Sequence, residues 1–504
     1  MKETTMKSVW NFGHTVPNRT TAPVPRFDCR SSLAGRLLVG CIAIVMLAIS
    51  SSAEGDVRLP KVFGEHMVLQ RDQAITVWGW ADADEEVTVT IADKTGKVKP
   101  GEDGRWRLKL GALPAGGPHE LKVQGKNEIV IPDVLIGEVW VCSGQSNMEW
   151  PLTRTEHAAA EIAAADYPQI RLFNVPHVVA EQPQDDVDAS WKLCTPDDAA
   201  GFSAVAYFFG RHLHKKLDVP VGLIGSNWGG TLAEAWTSRK TLEGDTDFAA
   251  ILERGKTFEP NKPHQPSVLY NGMLAPIIPY GIRGAIWYQG ESNVGRAQQY
   301  AELFPAMIKD WRRQWGQGDF PFLFVQLAPF RYGNHHRQAC AELWEAQTKT
   351  LKLINTGMAV TNDISNIRDI HPMNKQDVGY RLALWALANT HGQDIVYSGP
   401  LLKSQCVEEG TIRLHFRHVG SGLTTRDGQQ PTHFEIAGAD EKFVPATAKI
   451  DGETIVVSSD QVTEPVAVRF AWGDDVEPNL MNKEGLPASA FRTDYFKMVT
   501  DGQR

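Results

Sequence analysis

From about Val134 to Tyr397 short apolar runs alternate with long helical ones: "AIWYQ" and "FLFVQLA" stand among stretches such as "YAELFPAMIKDWRRQW" and "QDVGYRLALWALANT". Apolar runs without polar alternation need cover on both faces, and crossover helices supply it. The pattern therefore predicts parallel strands in an α/β layered domain.

Both flanks read differently. Between Val57 and about Asp133 apolar and polar residues alternate in "AITVWGWA", "EEVTVTIA", "GRWRLKLG" and "HELKVQG", broken by the turn signals "EDG" and "PAGG". Such spacing predicts a small antiparallel β-sandwich. After "SGP" at 398 the runs "TIRLHF", "HFEIAG", "AKIDGETIVVS" and "VAVRFAW" predict a β module that closes the chain. A chain of 504 residues exceeds the size at which one core stops growing. The expected division is 54–133, 134–397 and 398–504, with no internal repeat of fixed period.

Residues 1–53 stand apart. Arg36 precedes the apolar run "LLVGCIAIVMLAI" and then "SSSAEG", the order of a secretory leader cleaved near Ala53. The run falls short of the ~20 residues a membrane span needs, so export is expected in preference to a retained anchor. Residues 1–35 form an extension that is long for a leader and fits a start site placed too early. Cleavage would leave 45 basic and 58 acidic residues, a formal charge of −13. An acidic chain with no basic run speaks against nucleic acid and anionic membrane as partners. Cys142, Cys194, Cys340 and Cys406 show neither CxxC nor a metal-ligand rhythm, so they read as disulfides in any of three pairings or as buried free thiols, and no metal is expected.

Four strand ends carry chemistry. In "VWVCSGQSNMEW" an apolar strand runs into a polar knot with Ser146 at its centre, and ligands of open α/β sheets bind at the carboxyl ends of strands. Ser146 is placed as a nucleophile there, although it lacks the GxSxG elbow and either Ser146 or Ser143 suits a helix cap. "GLIGSNWGGTLAEAW" sets Gly229, Gly230 and Thr231 between a strand and a helical run, where backbone amides favour negative charge. An oxyanion or a phosphate fits, but the P-loop spacing from Gly225 to Thr231 lacks its lysine. "AIWYQGESN" offers the side-chain amides of Gln289 and Asn293, or a polar loop with a capping Asn. "RDIHPMNKQDVGYRLA" puts Asp369 and His371 just before a helix. Together these supply a weak nucleophile, a base and oxyanion donors, the needs of acyl transfer.

The blocks "GQSNM", "GGT", "WYQGESN" and "DIHP" resemble those of the sialate O-acetylesterase family, carbohydrate esterases of the SGNH-hydrolase superfamily. "LPKVFGEHMVLQRD", "VLYNGMLAPIIPYGIRGAIWYQGESN" and "NKEGLPASAFRTD" extend the resemblance over essentially the whole mature chain. It implies a three-layer α/β/α SGNH-hydrolase-like catalytic domain flanked by N-terminal and C-terminal β-sandwich-like modules, with no cofactor. It also implies Ser146 as nucleophile, His371 as general base, and an oxyanion hole from the amides of Ser146 and Gly230 and the side chain of Asn293. Gln289 and Gly229 are further oxyanion or substrate contacts. Two departures stand out. Asp369 lies two residues before His371 where much of the superfamily has three, which leaves Asp363 or a backbone carbonyl as alternatives for the third member. Trp344 stands where relatives are expected to carry arginine, a possible substrate contact pointing to a different or neutral glycan.

The implied activity is hydrolysis of O-acetyl esters on sialic acid or related sugars through an acetyl-enzyme. The alternatives are an acetylesterase on xylan, pectin-like or algal glycans, and a non-catalytic carbohydrate-binding protein. An exported protein, periplasmic or extracellular in a bacterium, follows from the leader.

Overall fold

The computed structural model describes residues 56–504; the leader expected over 1–53 lies outside the described residues. The central sheet is built from β1 (Glu128–Gly144), β2 (Tyr167–Asn174), β3 (Trp191–Cys194), β4 (Val221–Asn227), β5 (Gly284–Tyr288), β6 (Phe322–Val325) and β7 (Thr356–Ala359). Their order is β7-β6-β5-β1-β4-β2-β3. All neighbours run parallel except β3, which is antiparallel to β2 at the edge. The fold is thus mixed α/β around one mixed sheet. Strands β4 and β5 are fully buried, as their unbroken apolar runs require.

Helices cover both faces, and side-chain parity shows how. The short helix α1 (Ser146–Glu149) follows β1; the longer ones are α2 (Ala204–Leu217), α3 (Ala297–Trp315), α4 (Ala339–Thr350) and α5 (Lys375–Trp385). Trp140 on β1 pairs with Gly284, three residues before Trp287 on β5, so the two indoles point to opposite sides. Trp140 meets Phe209 of α2 at 5.0 Å, and α5 packs on α2 where Gly379 abuts Phe208. Trp287 meets Trp311 of α3 at 5.7 Å, with α4 packed on α3.

The expected boundary at 133/134 falls inside a single strand. The first half of β1 pairs with Gly116–Gln124 and Val68–Gln70, and its second half pairs with β4 and β5. Asp133 is tied to the central sheet as well, accepting from Arg171 of β2 at 2.7 and 3.2 Å. Val68–Gln70, Val87–Ile91, Lys94–Val98 and Gly116–Gln124 are therefore continuous with the central sheet, while Ile75–Trp80 and Arg105–Leu110 pair as a separate ribbon. Apolar alternation found Ile75–Trp80, Val87–Ile91 and Arg105–Leu110 but not Lys94–Val98, whose pattern is polar and whose pairing with Val87–Ile91 fixes it.

Beyond residue 400 short antiparallel sheets follow, with Leu401–Glu408, Thr411–Arg417, Thr454–Ser458 and Thr447–Asp451 as one of them. This region is bolted to the central domain by polar contacts: Ser489 Oγ accepts from Gln326 at 2.8 Å, and Arg492 donates to Glu345 of α4 at 3.1 Å. Behind that contact Asp494, wholly buried, accepts from Arg469 at 2.9 Å and Arg492 at 3.0 Å. Burial pushes the Asp494 carboxyl up, but the two guanidiniums outweigh it and hold the group below the usual carboxylate range. Its contribution is therefore present at neutral pH and is lost as pH falls through that lowered value. Asp494→Ala leaves two nearly buried guanidiniums without their shared partner and is expected to reduce unfolding free energy by about 3–5 kcal/mol. The check is the denaturant midpoint at unchanged slope.

Candidate active site

The carboxyl ends of β4 and β5 lie on either side of β1, where the chain passes from one half of the sheet to the other, and ligands bind such sheets at this crevice. Gly144 lets the strands come together at the crest. Its φ is +142°, and a Cβ there would stand 2.1 Å from the carbonyl oxygen of Tyr288. The amide of Gln145 donates to that oxygen at 3.0 Å, and Trp228 after β4 donates to the Gly144 carbonyl at 3.1 Å. Ser146 thus opens α1 from a fixed base. Its Oγ lies 2.8 Å from Nε2 of His371. Neither serine caps the helix: Gln145 occupies that position without a side-chain bond, and Ser143 is buried in β1.

His371 arrives on the long loop between β7 and α5. Its ring stacks on Trp150 at 4.7 Å and 17°, and its backbone amide donates to Asp369 Oδ1 at 3.0 Å. The same carboxylate oxygen stands 3.7 Å from Nδ1, beyond hydrogen-bond length but on the side needed to support a positive ring. Burial lowers the imidazole pKa, the Lys375 charge lowers it further, and Asp369 opposes both. Asp363 does not fill the third position. Both of its oxygens accept from Arg381 at 2.7 Å, so its charge is already committed.

Among the described residues the amides of Ser146 and Gly230 have no hydrogen-bond partner, which leaves both free to donate. Gly230 has φ of +76°, and its carbonyl is held by Ser292 Oγ at 2.7 Å, so the peptide is oriented from the far side. Gly229 differs. Its amide donates to Glu149 Oε2 at 2.6 Å and is not available to a ligand. Burial pushes Glu149 up, but bonds from His177 and Gly229 outweigh it and keep the carboxyl low. His177 is raised in return by Glu149 and stacks on Trp228 at 4.1 Å and 4°.

Asn293 and Gln289 lie behind this loop. Asn293 Oδ1 accepts from the Ala233 amide at 3.1 Å and from Gln289 Nε2 at 2.7 Å, while its Nδ2 donates to Glu234 at 2.9 Å. One Asn293 N–H is left over. Gln289 spends both of its N–H groups, on Asn293 and on the Thr231 carbonyl at 3.1 Å, so it acts as a strut and not as an oxyanion donor. Trp344 is likewise not a substrate contact: it is 1% exposed inside α4 and offers no face to a sugar. Gly225 to Asn227, where the P-loop spacing began, lie within β4 and form no loop.

The four cysteines of the described residues are free; Cys142, Cys194 and Cys340 are buried as one of the two readings had it, but Cys406 is exposed. Residues with no expected role also converge here. Asn147, Glu149 and Trp150 lie within four residues after Ser146, Glu291 sits within "QGESN", and Lys375 opens α5 four residues after His371. Their one signal was proximity to the polar blocks.

Residues 136–386 match the family described as carbohydrate esterase, sialic acid-specific acetylesterase. Human sialate O-acetylesterase is 32% identical over 491 residues, spanning 87% of this chain and 92% of that protein. The mouse sialate O-acetylesterase is 30% identical over 505 residues, spanning 86% and 92%. A carbohydrate acetylesterase from Xanthomonas citri superposes with a TM-score of 0.82 at 43% identity, covering 88% of this chain and all of that one. With a serine–histidine contact at the sheet crest and relatives aligned over most of their length, the chain belongs to the sialate O-acetylesterase family of carbohydrate esterases.

Proposed function

We propose that this protein is an exported serine esterase that releases acetate from O-acetylated sialic acid. The observation carrying the reading is the 2.8 Å contact of Ser146 Oγ with His371 Nε2 beside two unpartnered amides. Human, orangutan, mouse and rat relatives are named sialate O-acetylesterase, which supports the substrate class. The finer architecture of the reading is an SGNH-type three-layer core, with β-sandwich-like modules over 54–133 and 398–504. Helices on both sheet faces support it, as does the ribbon of Ile75–Trp80 with Arg105–Leu110, whose Leu108 and Leu110 approach Gly96 of the neighbouring sheet.

In this mechanism His371 Nε2 takes the Ser146 proton as Oγ attacks the acetyl carbonyl. The amides of Ser146 and Gly230, with the spare N–H of Asn293, hold the developing oxyanion. Asp369 steadies the imidazolium, which then protonates the departing sugar oxygen. Water, deprotonated by the same imidazole, attacks the acetyl group on Ser146 and frees acetate.

The active base is neutral imidazole. Because burial and Lys375 depress its pKa, the acid limb of kcat/KM is expected below the ~6.5 of an unperturbed histidine. A rate profile from pH 4 to 8 checks this; a limb above 6.5 would contradict it.

Arg154 supports an acidic sugar over a neutral one. Exposed, with no ion pair among the described residues, its guanidinium lies 5.5 Å over the Trp150 ring that carries His371. Acetate release from 9-O-acetylated sialic acid and from acetylated xylan, measured side by side, tests the substrate. Arg154→Ala is expected to raise KM for the sialic acid several-fold and, at pH 8 where the imidazole is already neutral, to leave xylan turnover as it was. Release from xylan alone would move the substrate to neutral glycans, and release from neither would favour a binding protein.

A further inference from the structure

Behind the serine–histidine contact lies a buried polar chain that the mechanism above does not use. Asn147 is 1% exposed and follows Ser146 directly. Its Nδ2 donates to the carbonyl of Ile370, the residue before His371, at 3.0 Å, and to Glu291 Oε1 at 2.6 Å. Its Oδ1 accepts from Lys375 Nζ. One side chain therefore joins the loops after β1, β5 and β7. We propose that Asn147 is a positioning residue that sets the separation of Ser146 and His371, with Lys375 and Glu291 fixing the direction of its amide. The proposal rests on the roles given to Ser146 and His371 above.

The orientation follows from chemistry. A reversed amide would aim its NH₂ at an ammonium and its oxygen at a carboxylate and a carbonyl, leaving three buried mismatches. Lys375 and Glu291 have little other reason to be where they are. Lys375 is 0% exposed and Glu291 8% exposed, in a region where isolated charge is costly. Burial pushes the Lys375 ammonium down to about 7 and the Glu291 carboxyl up. Lys375 Nζ also stands 5.7 Å over Trp150 and 5.5 Å over Tyr288, so the cation is held between the ring that stacks on His371 and the end of β5. Ser146 and His371 are 225 residues apart in sequence, and their contact needs a restraint close to both. A displacement near 1 Å in such a pair costs roughly 100-fold in rate.

The test uses the full protein with p-nitrophenyl acetate. Readouts are kcat, KM, the acid limb of kcat/KM and thermal melting for Asn147→Ala, Lys375→Met and Ser146→Ala. Asn147→Ala is expected to lower kcat about 100-fold with KM held within about threefold, a split that general loosening would not give. The charged groups bearing on the His371 ring are Lys375, Asp369 and Arg154. Removing Lys375 takes away a charge that opposes the imidazolium, so its variant is expected to show an acid limb displaced upward. A folded Asn147→Ala protein with kcat within about threefold of the parent overturns the proposal. Should that variant not fold, Lys375→Met decides: unchanged kcat with an unmoved limb overturns it, and a limb moved upward with lower kcat sustains it. Activity surviving in Ser146→Ala would defeat the catalytic pair itself, whereas an inactive Ser146→Ala beside a fully active Asn147→Ala would defeat this inference alone.

Discussion

Ser146→Ala is expected to lower kcat for acetate release by about 10⁶-fold, with KM little changed, and the Ser146→Ala/His371→Ala double variant to be no worse than the single one. The loss is large because a hydroxyl attacks an ester poorly until a base removes its proton, and among the described residues the group bonded to its Oγ is the imidazole 2.8 Å away. Alanine removes that oxygen and little else, since Ser146 is the first residue of α1 and its backbone is held through Gln145 and Gly144. Residual turnover of about 10³–10⁴ over water is expected from the free amides, which the substitution leaves in place. Purified variants assayed for acetate decide the matter. A loss of only about 10-fold would put the chemistry on another group, and additive losses in the double variant would mean that serine and histidine do not act as one unit.

The strands were legible because burial on two faces leaves an unambiguous mark: "AIWYQ" became Gly284–Tyr288 and "FLFVQLA" began Phe322–Val325. Where a strand serves two neighbours the mark fails. In β1 the exposed alternation of Glu128 to Asp133 gives way to unbroken burial from Val134, and a change of environment reads in one dimension like a change of domain. The site was legible to the level of blocks and not of atoms. Gly229 and Gly230 are adjacent and chemically alike, yet only Gly230 keeps a free amide, because Glu149 reaches back from α1 to its neighbour. Asp363 and Asp369 are both carboxylates upstream of His371, and only the position of Arg381 on α5 separates them. Trp344 shows the limit most plainly. A residue's substitution pattern can suggest a contact, but whether a side chain on α4 faces the cleft or the core depends on how that helix is rotated against α3. Lys375 was invisible for a related reason: a lysine in a helix reads as solvated, and its burial follows from Asn147 and Glu291 arriving from two other strands.

Asn293→Ala carries the second large effect, a drop in kcat of about 10²- to 10³-fold if the side chain donates to the oxyanion. The geometry makes this a sharper experiment than removal of an exposed donor, because Asn293 has two jobs. Its oxygen holds the Ala233 amide and Gln289, and one N–H holds Glu234, which itself anchors Arg254 at 3.2 Å and Arg296 at 3.0 Å. Truncation leaves those buried groups unpaired and should cost about 1–3 kcal/mol in stability for that reason alone. The two jobs separate in their readouts. Loss of an oxyanion donor lowers kcat and kcat/KM together while substrate binding persists, since the bond strengthens only as charge develops on the oxygen. Loss of a strut lowers the melting temperature and loosens the loop from Gly230 to Glu234, which would weaken binding as well. Measured at a temperature where the variant is fully folded, a kcat near that of the parent with a lower melting point would make Asn293 a strut, and the oxyanion would then rest on the amides of Ser146 and Gly230.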